Sequence, residues 1–208
     1  LVLGGGVVGS SSIRVALGMG ADVTVLDRSV NRLSELDEQY RGQLRTVYST
    51  AEALEMHARE ADLIIGAVLI PGASAPKLIT AEMLSDFKPG TVMVDVAIDQ
   101  GGCFETSRPT THADPTYEVD GVVHYCVANM PGAVARTATM ALTNATLPYI
   151  MRLASNEIRS LLLEDKHFGA GLNIVNGQLT HRAVADALGQ MCTEPDQILR
   201  ASLHLKSA

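Results

Sequence analysis

Three glycines and two carboxylates in this 208-residue chain stand where chemistry can be done. Gly4, Gly6 and Gly9 give the spacing G-x-G-x-x-G directly after the apolar run Leu1-Val2-Leu3. A helical pattern follows from Val7 to about Met19, and a second apolar run closes in Asp27. In a dinucleotide-binding βαβ unit the first glycine permits a tight turn. The second lets backbone approach a pyrophosphate, and the third lets helix pack on strand. The helix N-terminus, here Val7 and Val8, offers free N–H groups and a positive dipole end to phosphates. Asp27 can accept hydrogen bonds from the adenosine ribose. The competing reading is a glycine-rich turn in some other α/β protein.

The second carboxylate, Asp99, lies just past the strand pattern Thr91–Val96 and before Gly101-Gly102. A carboxylate there can accept a proton or a hydrogen bond, or stabilise a cation electrostatically. Alternatively it caps its own loop. Asp95, inside the strand, reads as structural. No His/Cys/Asp spacing suggests a metal site, and no base is placed to activate Cys103.

The elements that position these residues follow from periodicity. Strands are expected at Leu44–Tyr48, Ala61–Val68, Thr91–Val96 and Val122–Val127, after the two that flank the glycine turn. Helices are expected from Ser29 to Tyr40 and from Ala51 to Ala58, with a loop at Pro71–Lys77 and a short helix capped by Thr80 and running to Phe87. The alternation predicts an α/β fold, a Rossmann-type doubly wound parallel sheet of order 3-2-1-4-5-6, with a C-terminal helical appendage. In such sheets ligands lie beyond the C-terminal strand ends. The tail is expected to hold helices over about 132–153, 155–163 and 181–188, with no second sheet. His57, His167, His181 and His204 read as helix-surface residues and His124 as a core histidine.

Net charge is −7 with no basic block, which argues against a nucleic-acid partner. Three well-separated cysteines suit reduced thiols in a cytosol. No apolar run reaches membrane-spanning length, so no membrane partner and a cytoplasmic location are expected. The chain has no initiator Met and only three residues before the glycine turn. Strands usually run about five or six residues, so the chain is expected to be a fragment lacking its N-terminal part.

Five segments carry a resemblance: GAVLIPG at 66–72, MVDVAIDQGG at 93–102, TTHADPTY at 110–117, GVVHYCVANMPGAVARTAT at 121–139 and ALTNATLPY at 141–149. They resemble alanine dehydrogenase, within a wider group that includes the nucleotide-binding part of nicotinamide nucleotide transhydrogenase. The resemblance implies NAD as cofactor and reversible oxidation of L-alanine to pyruvate and ammonia. It implies a small-molecule substrate and a homo-oligomer, commonly a hexamer. It implies an NAD domain over 1–130 and a helical segment, 131–208, packing on an absent N-terminal substrate domain that holds the catalytic His and the Lys and Arg for the substrate carboxylate. The fragment alone is expected to be inactive.

Within the resemblance Asp99 matches the active-site aspartate. Asn129 and Met130 would meet the nicotinamide, the alternative being a helix cap and a core methionine. Val68 and Leu69 would sandwich the cofactor, or simply end the core. Val96, Ala97 and Ile98 lead into Asp99, and Val127 and Ala128 lead into Asn129, so these five also fall among the cofactor contacts. Arg32 would flank the adenine ribose, or is a solvated helix charge. Arg108 would reach the cofactor or a neighbouring element. Ser49 would bond near the adenine, or cap the helix at Ala51. Two rivals remain: a transhydrogenase nucleotide-binding component, and a non-catalytic dinucleotide-binding module that has no need of the segment around Asp99.

Overall fold

The computed structural model describes residues 1–69 and 75–201. Most of the expected loop at Pro71–Lys77, and His204, lie outside the described residues. Those residues divide into two units, 1–69 with 75–130, and the part from Pro131 onward.

The first unit is built on seven strands: β1 (Val2–Leu3), β2 (Val23–Asp27), β3 (Leu44–Tyr48), β4 (Leu63–Gly66), β5 (Val92–Asp95), β6 (Thr116–Val119) and β7 (Val122–Tyr125). Their order is β3-β2-β1-β4-β5-β7-β6. The expected order is present, the expected sixth strand being β7, and those strands are mutually parallel. The addition is β6, an antiparallel edge strand joined to β7 through Asp120 (φ 51°) and Gly121 (φ 77°). Two consecutive left-handed residues match the twist of a tight hairpin.

The central strands β1 and β2 carry buried residues on both faces, and β4 and β5 are buried on one face and partly covered on the other. All four are mostly apolar, as parallel strands tend to be, whereas the outer β3 and β6 open toward solvent. Successive residues point to opposite faces. Val2 and Val25 pack with Ile13 of α1 (Val7–Gly18) and Leu33 and Leu36 of α2 (Val30–Tyr40). Leu3 and Leu26 pack with Leu54 and Ala58 of α3 (Ala51–Glu60), with Ile64, Met93 and Phe104. Helix α1 ends as its glycines foretell. Gly20 (φ 84°) donates to Leu17 O at 2.9 Å and Ala21 to Ala16 O at 3.0 Å, closing a Schellman turn.

Two expected caps are corrected. Ser49 does not cap α3. Its N–H donates to Asp27 O (3.0 Å) beside the β2–β3 ladder, and Thr50, one residue on, accepts from Ala53 N–H at 3.1 Å. The short helix before Phe87 is a 3-10 helix, Glu82–Asp86, without a Thr80 cap. Glu105 takes that role from a distance, accepting from Ala81 N–H at 2.8 Å.

The second unit holds α4 (Ala135–Ser155), α5 (Ile158–Glu164), α6 (Lys166–Ala170), α7 (Arg182–Leu188) and α8 (Pro195–Ala201). Pro148 stays inside α4. The helix expected from Ser155 begins at Ile158, because Glu157 caps it by accepting from Ser160 N–H at 2.7 Å. The expectation of no second sheet fails. A small hairpin, β8 (Ile174–Val175) and β9 (Gln178–Leu179), turns at Asn176 (φ 49°) and Gly177 (φ 77°). His181 is not a helix-surface residue. It precedes α7, and its Nδ1 is buried without a hydrogen-bond partner among the described residues. Among the described residues no helix is long and apolar enough to cross a membrane.

Candidate functional site

The glycine turn is held by close packing at three of its four glycines. Gly4 (φ 96°) abuts β4, and a Cβ there would lie 2.9 Å from Ala67 O. A Cβ on Gly5 would lie 2.8 Å from Leu36 Cδ1, and one on Gly9 only 1.8 Å from Gly4 O. Gly6 differs, since a Cβ there meets no atom within 4 Å. Nothing among the described residues requires glycine at that position, and its bare backbone leaves open space over the start of α1. Val7 beside it is 89% exposed. Among the described residues no side chain caps α1, and its first turn carries no acid. The N–H groups there therefore point their partial positive charge into an opening. A pyrophosphate fits such a cradle.

Asp27 ends β2 next to this turn. Its Oδ2 accepts from Gly5 N–H at 2.7 Å and its Oδ1 from Ser29 N–H at 2.8 Å. Each oxygen keeps a further lone pair for a ligand hydroxyl. Arg32 is not a freely solvated helix charge. Its Nε donates to Gly5 O and its Nη2 to Ser10 Oγ, both at 2.7 Å, and its Nη1 pairs with Glu35. Ser49 is half-buried at the end of β3. Val68, half-buried after β4, touches the turn, since a Cβ on Gly4 would be 3.1 Å from its Cγ2. Leu69 is exposed at the rim.

The end of β5 separates two carboxylates by role. Asp95 is fully buried. Its Oδ2 accepts from Ser107 Oγ (2.5 Å), Cys103 N–H (2.8 Å) and Phe104 N–H (3.3 Å), and its Oδ1 from Ala97 N–H (3.1 Å). Asp95 thus ties down the loop that carries Asp99. Gly102 (φ 78°) is needed there, for a Cβ would meet Asp95 Oδ2 at 2.6 Å. Lys77 fastens the same loop by donating to Gly101 O and Phe104 O. Val96 donates to Gly66 O at 3.0 Å, and Ala97 and Ile98 are buried. Asp99 sits on the 3-10 turn Ile98–Gln100, exposed, with no side-chain hydrogen bond or ion pair among the described residues. Loop capping belongs to Asp95, and Asp99 presents a free carboxylate. Beside them the Cys103 thiol is pushed up to about 11, first by burial and then by Asp95, so it is no nucleophile at neutral pH.

Past β7, Val127 is buried and bridges to Thr110, with Ala128 half-buried after it. Asn129 has φ 54°. Arg41 adopts such a φ to end α2, and Asp120 and Asn176 do so in hairpin turns. Asn129 belongs to neither kind of element, and strain of that sort clusters at functional sites. Its carbonyl accepts from His112 Nε2 at 3.0 Å, and its own side chain is exposed and makes no hydrogen bond among the described residues. Met130 is half-buried at the start of the 3-10 helix Met130–Val134. Arg108 engages the neighbouring edge strand, its guanidinium lying 4.0 Å over the Tyr117 ring. His124 is wholly buried, with Nδ1–H donating to Val122 O and Nε2 accepting from Thr106 Oγ1.

Because β1 to β5 and β7 are parallel, the turn, Asp27, Ser49, Val68, Asp99 and Asn129 all follow strand ends at one edge of the sheet. Sequence reasoning did not reach the Arg32–Gly5–Ser10 bonds or the His112–Asn129 bond. The first joins residues far apart in sequence and the second depends on loop geometry, and neither leaves a local signal.

Comparison with known proteins gives a consistent picture. A family model described as alanine dehydrogenase/PNT, C-terminal domain, matches residues 1–182. The alanine dehydrogenase of Halomonas elongata is 69% identical over 188 residues, 90% of this chain and 51% of that protein. That of Staphylococcus saprophyticus is 50% identical over 200 residues, 96% of this chain and 54% of that protein. The chain thus spans about half the length of these curated relatives. A solved L-alanine dehydrogenase superposes with a TM-score of 0.80 at 48% identity, covering 90% of this chain and 52% of its own. A transhydrogenase from Sinorhizobium meliloti is more distant, with a TM-score of 0.68 at 27% identity over 88% of this chain and 49% of its own.

Proposed function

The chain belongs to the alanine dehydrogenase/PNT family, and from that premise we propose that it forms the NAD-binding and C-terminal part of an L-alanine dehydrogenase. The reaction consumes L-alanine, NAD and water and yields pyruvate, ammonium, NADH and a proton. Bound NAD supplies the hydride acceptor. The chain's own residues bind and orient it. The open backbone at Gly6 and the first turn of α1, with Val7 and Val8, receive the pyrophosphate between Gly4 and Gly9. Asp27 takes the ribose hydroxyls with the lone pairs its backbone donors leave free, and its charge disfavours a 2′-phosphate. Ser49 lies on the adenosine side, and Val68 and Leu69 flank the cofactor. Val96 to Ile98 and Val127 to Met130 form the nicotinamide end, where the exposed Asn129 side chain suits a carboxamide.

The observation that carries the catalytic half is Asp99. A buried neighbour already ties down the loop, so this exposed carboxylate is left for chemistry. It faces the amine of the substrate, where its charge stabilises the cationic iminium and its oxygens accept a proton. A non-catalytic dinucleotide module has no use for such a group. The higher identity and TM-score with alanine dehydrogenase than with transhydrogenase favour the deamination over hydride transfer between nucleotides. Helix α4 buries none of its own residues and exposes Met140, Leu142, Tyr149, Ile150 and Met151. That apolar surface suits packing against a substrate domain.

The test is NADH formation by the purified full-length protein with L-alanine and NAD, beside glycine as substrate and NADP as cofactor. Rapid, alanine-selective turnover with NAD supports the proposal. NAD binding without turnover of any small amino acid would favour the binding module.

A further inference from the structure

The backbone around Asn129 is held by the loop over residues 110–115. Thr110 bridges to Val127 in parallel fashion. Its N–H donates to Cys126 O at 2.9 Å, and its carbonyl accepts from Ala128 N–H at 3.2 Å. The loop is also closed on itself. Thr110 Oγ1 donates to Pro115 O at 2.9 Å, and Thr111 Oγ1 accepts from Asp114 N–H at 3.3 Å. From this closed loop His112 Nε2 reaches Asn129 O at 3.0 Å. A carbonyl only accepts, so that nitrogen carries the proton of the bond. The bond falls where the chain turns left-handed, at φ 54°, just before the 3-10 helix Met130–Val134. A residue with a side chain keeps such a conformation only where its surroundings impose it. Both grips are on backbone, at Ala128 N–H and at Asn129 O. The exposed Asn129 carboxamide makes no hydrogen bond among the described residues and is left for a ligand.

We propose that His112 is a positioning residue for the nicotinamide end of the cofactor site, fixing the Asn129 carbonyl and thereby aiming the Asn129 carboxamide at the nicotinamide amide. This rests on the NAD-binding reading above and adds the group that orients Asn129 before the ligand arrives. His112 acts through Asn129 and needs no ligand contact of its own. Its ring is rigid and stands on a closed loop, so it sets the peptide at a fixed distance. A carboxamide already held in place loses little freedom on binding, which is where preorganisation gains affinity.

NADH carries the nicotinamide and ADP-ribose does not, so the two ligands separate a role at this end from a general one. The experiment measures dissociation constants of both in the full-length protein, with a melting curve for each variant. The variants are His112→Phe, His112→Gln, Asn129→Gly and the double variant His112→Phe with Asn129→Gly. In His112→Phe NADH should bind about 3–10-fold more weakly, as for loss of one neutral hydrogen bond, while ADP-ribose changes by less than about twofold. His112→Gln restores a donor at similar reach and should recover most of that loss. Asn129→Gly should also weaken NADH selectively. Adding His112→Phe to it should cost less than about twofold more, because no carboxamide is left to aim. Equal losses for NADH and ADP-ribose, no loss in His112→Phe, no recovery in His112→Gln, or a full further loss in the double variant would each overturn the proposal. If His112→Phe melts before assay, His112→Ala takes its place with the same expected outcomes. Unchanged NADH binding in Asn129→Gly would refute the placement of Asn129 at the nicotinamide, and this proposal with it. A wild type that binds neither NADH nor ADP-ribose would instead refute NAD binding itself.

Discussion

Replacing Asp95 by Asn should destabilise the first unit severely while leaving the exposed Asp99 chemically intact. The buried carboxylate accepts four hydrogen bonds, three at Oδ2 and one at Oδ1. An amide has one oxygen, so its better orientation keeps the three donors at that oxygen and turns its NH2 toward Ala97 N–H. Two donors then face each other. Bonds to an ionised acceptor contribute about 1.5–3 kcal/mol each and neutral ones about 1, so weakening three costs about 2–4 kcal/mol. The unsatisfied Ala97 N–H adds about 1–3 kcal/mol. Relaxation and non-additivity lower the sum, and about 3–5 kcal/mol is expected, the range for breaking a buried charged cluster. For a unit of this size that is about 10–20 °C in Tm. The assay is thermal and urea unfolding without cofactor, beside Ser107→Ala, which removes one donor and should cost about 1–2 kcal/mol. A loss below about 1 kcal/mol in Asp95→Asn would show that Asp95 does not hold the loop. The division of labour between the two carboxylates would then fall.

Three further outcomes are expected. Gly9→Ala should fail to fold or lose dinucleotide binding, since its Cβ falls 1.8 Å from Gly4 O, whereas Gly6→Ala should melt as wild type but bind NADH at least about tenfold more weakly, its methyl entering open space where phosphate would lie. A melting shift in Gly6→Ala with unchanged NADH affinity would contradict that placement. His124 is held neutral by burial, its pKa lowered from the ordinary 6.5. The unfolded chain then binds the extra proton first, so this stability is fully present above pH 6.5 and is lost as pH falls toward the folded value. Urea midpoints compared with those of His124→Gln should lose this slope in the variant. The buried Cys103 should resist thiol reagents in the native protein at pH 8 and react only on unfolding, as peptide mapping of labelled protein would reveal.

Much of the sheet was legible because its signals are local. The glycine spacing, the apolar run closing in Asp27 and the start of α2, where Ser29 Oγ accepts from Arg32 N–H at 3.2 Å, each need only a few neighbouring residues. The antiparallel β6 and the β8–β9 hairpin escaped because strands of two to four residues show no useful periodicity. Their turns, Asp120-Gly121 and Asn176-Gly177, carry the strongest short hairpin signal and were the available clue. Ser49 and Thr50 are adjacent and equally able to cap, and the β2–β3 register decides between them. The separate roles of Asp95 and Asp99 depend on which side chain faces the core. Alternation along β5 suggests the answer for Asp95, but the donors from Cys103, Phe104 and Ser107 depend on how the chain returns.

The most direct measurement is the effect of Asp99→Asn on L-alanine oxidation by the full-length protein, with an NAD titration and a melting curve for the same variant. The substitution keeps size and removes charge from a group that forms no side-chain hydrogen bond among the described residues, so melting and NAD affinity should stay near wild type. Both kcat and kcat/KM should fall together, by on the order of 10²–10⁴-fold, the range of a positioned acid–base group. Near-normal kcat at unchanged NAD affinity would contradict the account and leave Asp99 outside the chemistry.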